Sequence, residues 1–416
     1  MTYLDELAAR RRFGMKPGLE AIRNVCAALG DPQRAVRAIH IAGTNGKGAT
    51  AAMLDACLRA AGLRVARYTS PHLVRLNERF HLDGRCLPDD TLAAAARRVA
   101  AVAPQDLTFF EALTAVAFLV FGEEKCDYAV LETGLGGRLD ATNICESRLS
   151  VITRIGLDHC DWLGSTLEQI AAEKGGIIKP RVSVVVGRNE PQVVRVLADI
   201  ARRADAPFFY APDLVRDDEI PGTFALHGAF NRENALTALA ALKVLAPRLP
   251  RAAIEEGFAH VVWPGRFQRV GAYLIDGAHN PPAARALVAA WKQAWGLPEG
   301  EPSLSLVAGF CGDKDVDATL EILSPLCARG FAVRTNNPRS LAPERLADKM
   351  TAAGIPSVPC ATLKTALDAA LQASAPAGAQ PAVLVCGSLF LAGEALVALG
   401  AYPNEARFDP SERLVP

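Results

Sequence analysis

A glycine-rich turn with a single lysine constrains this chain more than any other feature. The turn is Gly43-Thr44-Asn45-Gly46-Lys47-Gly48; it follows an apolar run over 36–42 and precedes a stretch of helical composition over 49–62. A strand, a glycine turn and a helix in this order form a phosphate cradle, because backbone N–H groups and the helix N-terminus attract anions and the lysine adds a positive charge. The pattern predicts a nucleotide-binding α/β fold. The alternative is a glycine-rich turn without a ligand, which would need no lysine.

The turn departs from the full phosphate-loop pattern at one position. Ala49 follows Lys47-Gly48, so the hydroxyl that usually contacts a metal there is missing. Thr50 is one possible substitute. The segment Tyr68-Thr69-Ser70-Pro71-His72-Leu73 is another, because it places hydroxyls after a different apolar run.

Composition narrows the class of protein. The 416 residues contain 45 Lys and Arg and 45 Asp and Glu, and this balance argues against broad binding to nucleic acid or anionic membranes. The strongest apolar run, 112–121, is shorter than the roughly 18–20 residues of a membrane span. The first six residues do not resemble a signal peptide, and the ten cysteines show no metal-binding spacing. We therefore expect a cytoplasmic protein with buried free thiols.

Short apolar runs alternate with amphipathic stretches along the chain, which is typical of parallel α/β sheets. The strand candidates are 36–42, 63–68, 128–131, 149–153, 183–186, 272–275, 303–308, 331–334 and 382–386. The alternation restarts after Trp263-Pro264-Gly265-Arg266-Phe267-Gln268. We predict a P-loop ATPase-like domain with a mostly parallel sheet over 1–269 and a smaller Rossmann-like α/β domain over 270–416.

Polar residues follow several of the predicted strands in the first domain. Glu132 ends one strand, where a carboxylate is placed to reach Mg²⁺ beside a phosphate loop, and Asp158-His159 follow another. Lys174 follows a stretch of helical composition over 167–172; it is either a surface lysine or, if carbamylated by CO₂, an anionic oxygen ligand. Thr108 and Glu111 predict a helix capping box, with substrate contact as the alternative.

Three polar turns follow strands in the second domain and predict a rim that faces substrate. They are 276–281, which contains Asp276, His279 and a proline suited to a helix start, and then 309–315 and 387–394. The chain lacks the G-x-S-x-G pattern of a serine nucleophile and the G-x-G-x-x-G pattern of a nicotinamide enzyme.

Taken together, these motifs resemble the folylpolyglutamate synthase/dihydrofolate synthase family of the Mur-ligase-like superfamily. The matches run in order over nearly the whole chain: 43–48, 70–73, 132–143, 158–159, 173–174, 234–235, 264–266, 276–281, 313–315 and 387–389. The resemblance implies ATP-dependent amide formation, in which a carboxylate is activated as an acyl phosphate and attacked by the amine of L-glutamate. Folate biosynthesis and one-carbon metabolism are the implied setting.

The resemblance also implies roles for individual residues. Gly43, Thr44, Asn45, Gly46, Lys47 and Gly48 would hold the phosphates, and Asn234 would meet the adenine side. Arg266, Asp276 and His279 would contact the nucleotide and the transferred phosphate, with Lys47, Lys174, Asp276 and His279 as the catalytic set. Ser70, Glu132, His159 and a carbamylated Lys174 would hold Mg²⁺, and K⁺ is a further expected cofactor. Ala49 puts the usual hydroxyl contact in doubt.

Substrate choice leaves alternatives open. We expect a monomeric bifunctional enzyme that adds L-glutamate to dihydropteroate and to folates, and a loose match over 14–33 to the N-terminal region of such enzymes favours this. A synthase acting only on reduced folates is the first alternative. Another Mur-type ligase is less favoured because of the turn at 276–281 and the two-domain length. A P-loop switch protein would not need the second domain.

Overall fold

A computed structural model describes residues 18–296, 302–374 and 380–402 of the chain. The described residues form two compact units. The first comprises residues up to 72, 76–225 and 232–262, and the second comprises 73–75, 226–231 and 263 onward. The domain boundary at 269/270 stays a prediction.

The first unit is built on an eight-stranded sheet in the order β4-β3-β2-β5-β1-β6-β7-β8. Strands β3 and β4 are antiparallel to their neighbours, and the others pair in parallel. The strands are β1 (Ala38–Ala42), β2 (Val65–Tyr68), β3 (Phe80–Leu82), β4 (Arg85–Cys86), β5 (Tyr128–Glu132), β6 (Ser147–Ile152), β7 (Val184–Val186) and β8 (Phe208–Tyr210).

Helices precede, connect and follow these strands. They are α1 (Glu20–Ala28), α2 (Lys47–Ala60), α3 (Asp89–Val102), α4 (Phe109–Glu123), α5 (Cys160–Leu163), α6 (Leu167–Gly175), α7 (Pro191–Arg203), α8 (Ala211–Leu214), α9 (Ala229–Leu245) and α10 (Arg251–His260). The apolar run 112–121 lies in α4 and is buried in the core that also contains residues of α1, α3, β2 and β5. Its length suits a core helix, and no helix in the described ranges is both long and apolar enough to cross a membrane.

Strand register places the candidate site at the carboxyl edge of this sheet. Strand β1 is fully buried between β5 and β6, with Ile41 opposite Glu132 and Ala42 opposite Ile152. The chain then leaves β1 through the glycine turn. Because parallel strands end at one edge, the turns after β1, β5 and β6 meet there.

The second unit contains a six-stranded sheet in the order β13-β12-β11-β14-β10-β9, parallel except for β9. The strands are β9 (Gln268–Val270), β10 (Tyr273–Ile275), β11 (Leu304–Ala308), β12 (Cys327–Ala332), β13 (Ser357–Pro359) and β14 (Val383–Cys386). The helices are α11 (Pro281–Trp295), α12 (Val316–Leu323), α13 (Pro343–Ala352), α14 (Leu363–Gln372) and α15 (Leu389–Ala398). Two apolar clusters fill this unit, and the α/β class predicted from sequence is confirmed.

Candidate active site

The glycine turn adopts a conformation that only glycine accommodates well at two positions. Gly43 has φ +153° and Gly46, the N-cap of α2, has φ +87°. A Cβ at Gly43 would collide with the Thr153 hydroxyl, and a Cβ at Gly46 would collide with the Asn234 amide. Thr153 and Asn234 are therefore packed directly on the turn. Asn234, the residue predicted to meet the adenine side, thus contacts the predicted phosphate loop.

Lys47 folds back over the turn at the first position of α2. Its Nζ donates to the carbonyl oxygens of Gly43 and Thr44, each at 3.2 Å, and lies 3.9 Å from Glu132 Oε1. The side chain is mostly buried. The ammonium is thus held at the helix N-terminus, where the helix dipole and the N–H groups favour a bound phosphate.

Glu132 is the last residue of β5 and is buried at 4% exposure. Its Oε2 accepts the backbone N–H of Ser70 at 3.2 Å, so the turn after β2 is tied to the end of β5. A buried carboxylate with a serine hydroxyl on the adjoining turn is an oxygen-rich pair that fits Mg²⁺.

Lys174 is buried at 5% exposure in α6 rather than on the surface. Its Nζ donates to the carbonyl oxygen of Gly43 at 2.7 Å, so two lysines share one backbone acceptor. Burial, and next the positive charge of Lys47, lower the pKa of Lys174 to about 7, against the opposing pull of Asp158 and Asp140. A large fraction of the amine is therefore neutral near pH 7.

His159 lies in the segment between β6 and α5. It is the left-handed N-cap of α5, with φ +53°, and its Nε2 lies 3.9 Å from Asp158 Oδ1. Within the described ranges, no group of three or more His, Cys, Asp or Glu side chains is arranged to hold a metal ion. The structure thus brings Ser70, Glu132, Lys47 and Lys174 around the turn, and His159 lies beside Asp158, whose charge acts on Lys174.

The candidate residues of the second unit surround the turn after β10. Asp276 is buried, and its two carboxylate oxygens accept the N–H groups of Phe267 at 2.7 Å and Ala278 at 2.8 Å. Burial raises the pKa of Asp276, while Arg266 and these N–H groups oppose the rise. The carboxylate therefore holds two backbone segments together.

Arg266 and His279 are both fixed to nearby backbone. Arg266 Nη1 donates to the carbonyl oxygen of Gly265 at 3.1 Å, and His279 Nδ1 lies 2.8 Å from the carbonyl oxygen of Gly277. With Nδ1 as the donor, the Nε2 of a neutral His279 would be an acceptor. Asn280 caps α11 through the N–H of Ala283, and Pro281 occupies the first helical turn as predicted.

Comparisons with known proteins agree over most of the chain. The Mur ligase middle domain matches residues 41–242, and the Mur ligase glutamate ligase domain matches 265–389. The dihydrofolate synthase/folylpolyglutamate synthase of Escherichia coli (strain K12) is 36% identical over 93% of this chain and 92% of its own length. The chain belongs to the folylpolyglutamate synthase/dihydrofolate synthase family of Mur ligases.

Solved members of this family share the fold. Mycobacterium tuberculosis folylpolyglutamate synthase complexed with ADP and AMPPCP is 33% identical, with a TM-score of 0.85 over 97% of this chain and 99% of that chain. A bifunctional folylpolyglutamate synthase/dihydrofolate synthase with Mn, AMPPNP and L-glutamate bound is 32% identical, with a TM-score of 0.83 over 96% and 98%. These relatives bind an adenine nucleotide, and the second also holds a divalent metal and glutamate.

Two buried networks in this family member were missed from the sequence. Asp140 accepts the N–H groups of Gly134 and Leu135 through one oxygen and that of Thr142 through the other, so it shapes the turn after Glu132. The Thr142 hydroxyl also contacts Asp140 and His40. One sequence signal could have predicted the bond to Thr142: Asp140 lies two residues before it, which is the spacing of an Asx turn.

The second network supports the Ser70 turn. Arg79 Nε donates to His72 Nδ1 at 2.8 Å, both residues are 7% exposed, and the guanidinium lies over the Phe109 ring at 5.8 Å from its centroid. Sequence offered no signal for this pair, because Arg79 reads as an ordinary charged residue before a short strand.

Proposed function

We propose that this enzyme uses ATP to add L-glutamate to dihydropteroate and to the γ-carboxylate of reduced folates. The observation that carries the proposal is the arrangement of Lys47, Glu132 and Lys174 around the Gly43 turn, in a chain that matches the Mur ligase models over 41–242 and 265–389. The relatives bind nucleotide, divalent metal and glutamate, and this supports the same substrates here.

The reaction needs a carboxylate to become an electrophile. A carboxylate oxygen of the acceptor attacks the γ-phosphorus of ATP, the bond to the β-γ bridging oxygen breaks, and ADP leaves. The neutral amine of L-glutamate then attacks the acyl carbon, and the tetrahedral intermediate expels inorganic phosphate as the amide forms. Both steps depend on alignment and on neutralising phosphate charge.

The first unit supplies the phosphate-binding groups in this proposal. Residues 43–48 present N–H groups at the start of α2, and Lys47 exchanges its carbonyl partners for the β- and γ-phosphates. Asn234 meets the adenine side of the nucleotide in this proposal, and its packing on Gly46 supports this role. We assign Arg266, Asp276 and His279 to nucleotide and phosphate binding on the family resemblance, with Asp276 organising the turn that carries the other two.

Mg²⁺ fits the donors that the chain offers. Ser70, Glu132 and His159 would hold it, with Lys174 as a carbamate at a second position, and its chemistry is to neutralise charge on the ATP phosphates. Ser70 makes the missing hydroxyl at Ala49 tolerable. We retain K⁺ as a proposed further cofactor.

Carbamylation of Lys174 is supported by its environment. The reaction with CO₂ consumes a neutral amine, and the lowered pKa of about 7 provides one. The product is an anion, and Lys47 would then face an opposite rather than a like charge across Gly43. Incubation with ¹³C-bicarbonate should give one carbamate signal by NMR that is absent in Lys174→Met; equal signals in both proteins would contradict the modification.

We further propose that the enzyme acts as a cytoplasmic monomer. All ten cysteines are free thiols, and six of them are buried, which suits a reducing compartment. Sedimentation at working concentration should give a mass near the 44.2 kDa of one chain, and a dimer mass would contradict the monomer.

The direct test is phosphate release from MgATP with L-glutamate, comparing dihydropteroate with tetrahydrofolate and identifying the products by mass. Release with both acceptors, each gaining one glutamate, is the expected bifunctional result. Release with tetrahydrofolate alone identifies the monofunctional enzyme. Release that does not depend on glutamate, or none with either acceptor, contradicts the proposal. Lys47→Ala, folded by circular dichroism, should release no phosphate.

A further inference from the structure

We propose that Phe267 and Trp295 are positioning residues that fix the backbone around Arg266. The inference rests on the proposed function, in which Arg266 binds nucleotide. Neither aromatic residue belongs to the motifs that define the candidate site, and both lie in the second unit.

The backbone on both sides of Arg266 is left-handed. Gly265 has φ +68° and Phe267 has φ +49°. Glycine adopts this conformation readily, but a bulky buried residue does so at an energetic cost and needs surrounding structure to hold it. Phe267 is only 3% exposed. Left-handed backbone at a buried phenylalanine next to a candidate site residue points to a positioning role.

Hydrogen bonds hold both neighbours of Arg266 in place. The N–H of Phe267 donates to Asp276 Oδ2 at 2.7 Å, and the N–H of Gly277 donates to the carbonyl oxygen of Gly265 at 2.9 Å. Gln268 Oε1 also accepts the N–H of Gly265 at 2.9 Å. Hydrogen bonds therefore join both ends of the segment that carries Arg266 to the turn after β10. Its first residue, Gly265, is also bonded to Gln268 in β9.

Aromatic packing holds the Phe267 side chain. Its ring stacks on Trp295 of α11, with centroids 5.6 Å apart and an angle of 22° between planes. It also forms an edge-to-face pair with Phe230, with centroids 6.1 Å apart. The ring of Trp295 in turn packs on the ring of Trp291, with centroids 4.5 Å apart. Offset and edge-to-face ring pairs are favourable beyond the area that they bury, so this packing can oppose the cost of the left-handed backbone.

The guanidinium has little freedom to shift. Arg266 Nη1 donates to Gly265, and a Cβ at Gly277 would lie 2.6 Å from the same nitrogen. A change in the backbone at Phe267 would therefore displace a charge that packs closely against the turn. Misplacement of such a group by about 1 Å can cost up to about 100-fold in rate.

The test uses Trp295, which is only partly buried, so that the fold is retained. Trp295→Leu removes the stacking ring and should lower kcat/KM for ATP by about tenfold. Trp295→Phe keeps a ring and should restore most of the activity. Trp291→Phe, which alters the same cluster without removing the ring on Phe267, is the matched control and should retain wild-type kinetics. Melting temperatures are measured for all three.

A double variant separates positioning from a general packing effect. If Trp295 acts through Arg266, the double variant Arg266→Ala with Trp295→Leu should have the same kcat/KM for ATP as Arg266→Ala alone. ADP affinity, measured by calorimetry, should likewise be the same in these two variants. Two outcomes overturn the inference and leave the proposed function standing. In one, the losses in kcat/KM of the two single variants add in the double variant. In the other, Trp295→Leu has wild-type kinetics while Arg266→Ala is impaired. Wild-type kinetics in Arg266→Ala would contradict the proposed role of Arg266 and the inference with it.

Discussion

Gly46 shows how closely single residues are fitted around the phosphate loop. It caps α2 in a left-handed conformation, and the Asn234 amide fills the space that a Cβ would need. Two independent constraints therefore require glycine at this position: the left-handed backbone and the lack of room for a Cβ. Gly62, at the other end of the same helix, has a similar φ of +80° but no atom within 4 Å of a Cβ.

These two glycines make a matched pair for substitution. Gly62→Ala should reduce only stability, by about 1–2 kcal/mol from left-handed strain. Gly46→Ala should in addition displace Asn234 and lower kcat/KM for ATP by at least about tenfold, which corresponds to about 1.4 kcal/mol. Steady-state kinetics and urea unfolding of both variants test this. Equal kinetics in the two variants would show that the contact with Asn234 does not matter for nucleotide use.

The sequence pattern predicted some of these residues and missed others for physical reasons. The loop and the strand-end position of Glu132 follow from local patterns, and the structure has both. The burial of Lys174 depends on packing against Gly43, 131 residues away, and no local pattern reports such a contact. The same holds for the contact between Arg79 and His72, because neither residue belongs to a periodic apolar pattern.

At the scale of elements, the central strands were predictable and the edge strands were not. Each of the nine predicted strands overlaps an observed one, but β12 spans Cys327–Ala332 rather than 331–334 because Arg329 and Gly330 interrupt its apolar pattern. The unpredicted strands, β3, β4, β8, β9 and β13, have two or three residues each. Strands this short provide too few alternations for a periodic signal, and pairing with a neighbour defines them. Strand β7 is equally short but was predicted because it is an unbroken run of buried valines.

Helix α4 illustrates an element whose start is encoded locally. The predicted capping box is confirmed: Thr108 Oγ1 accepts the N–H of Glu111, and Glu111 Oε2 accepts both the N–H and the hydroxyl of Thr108. Glu111 is only 6% exposed. Helix α6 begins with a similar but exposed box from Thr166 and Gln169.

The two boxes should differ in what their loss costs. Thr166→Ala should lower the free energy of unfolding by about 1 kcal/mol, and Thr108→Ala by nearer to 2 kcal/mol, because the buried carboxylate of Glu111 loses a donor that water cannot easily replace. Chemical denaturation of both variants measures the difference. An equal loss would mean that burial of the box adds nothing.

At the scale of the whole molecule, buried neutral groups link stability to pH. Burial, and then the charge of Lys179, lower the pKa of His40 to about 3, and burial lowers that of His81 to about 2. Each folded value lies below the unfolded value of about 6.5, so the unfolded chain binds more protons below that pH. The contribution of these two histidines to stability is therefore complete above pH 6.5 and falls as the pH decreases toward 3.

Replacing one of these two histidines should make the stability of the protein less dependent on pH. His40→Gln keeps a donor for Thr142 but does not titrate, so the slope of unfolding free energy below pH 6.5 should decrease by up to about 1.4 kcal/mol per pH unit. His227→Gln, at an exposed position, is the control for the substitution itself. If His40→Gln retains the full slope, His40 is not a source of the acid sensitivity.

The account centres on activation of the acceptor carboxylate as an acyl phosphate, and isotope transfer measures that directly. Dihydropteroate with both carboxylate oxygens as ¹⁸O is converted with MgATP and L-glutamate, and the released phosphate is examined by mass or ³¹P NMR. The mechanism predicts one ¹⁸O in each phosphate, because the bridging oxygen leaves with phosphorus, and one ¹⁸O retained in the amide. Phosphate free of ¹⁸O beside a labelled amide product would contradict the acyl phosphate.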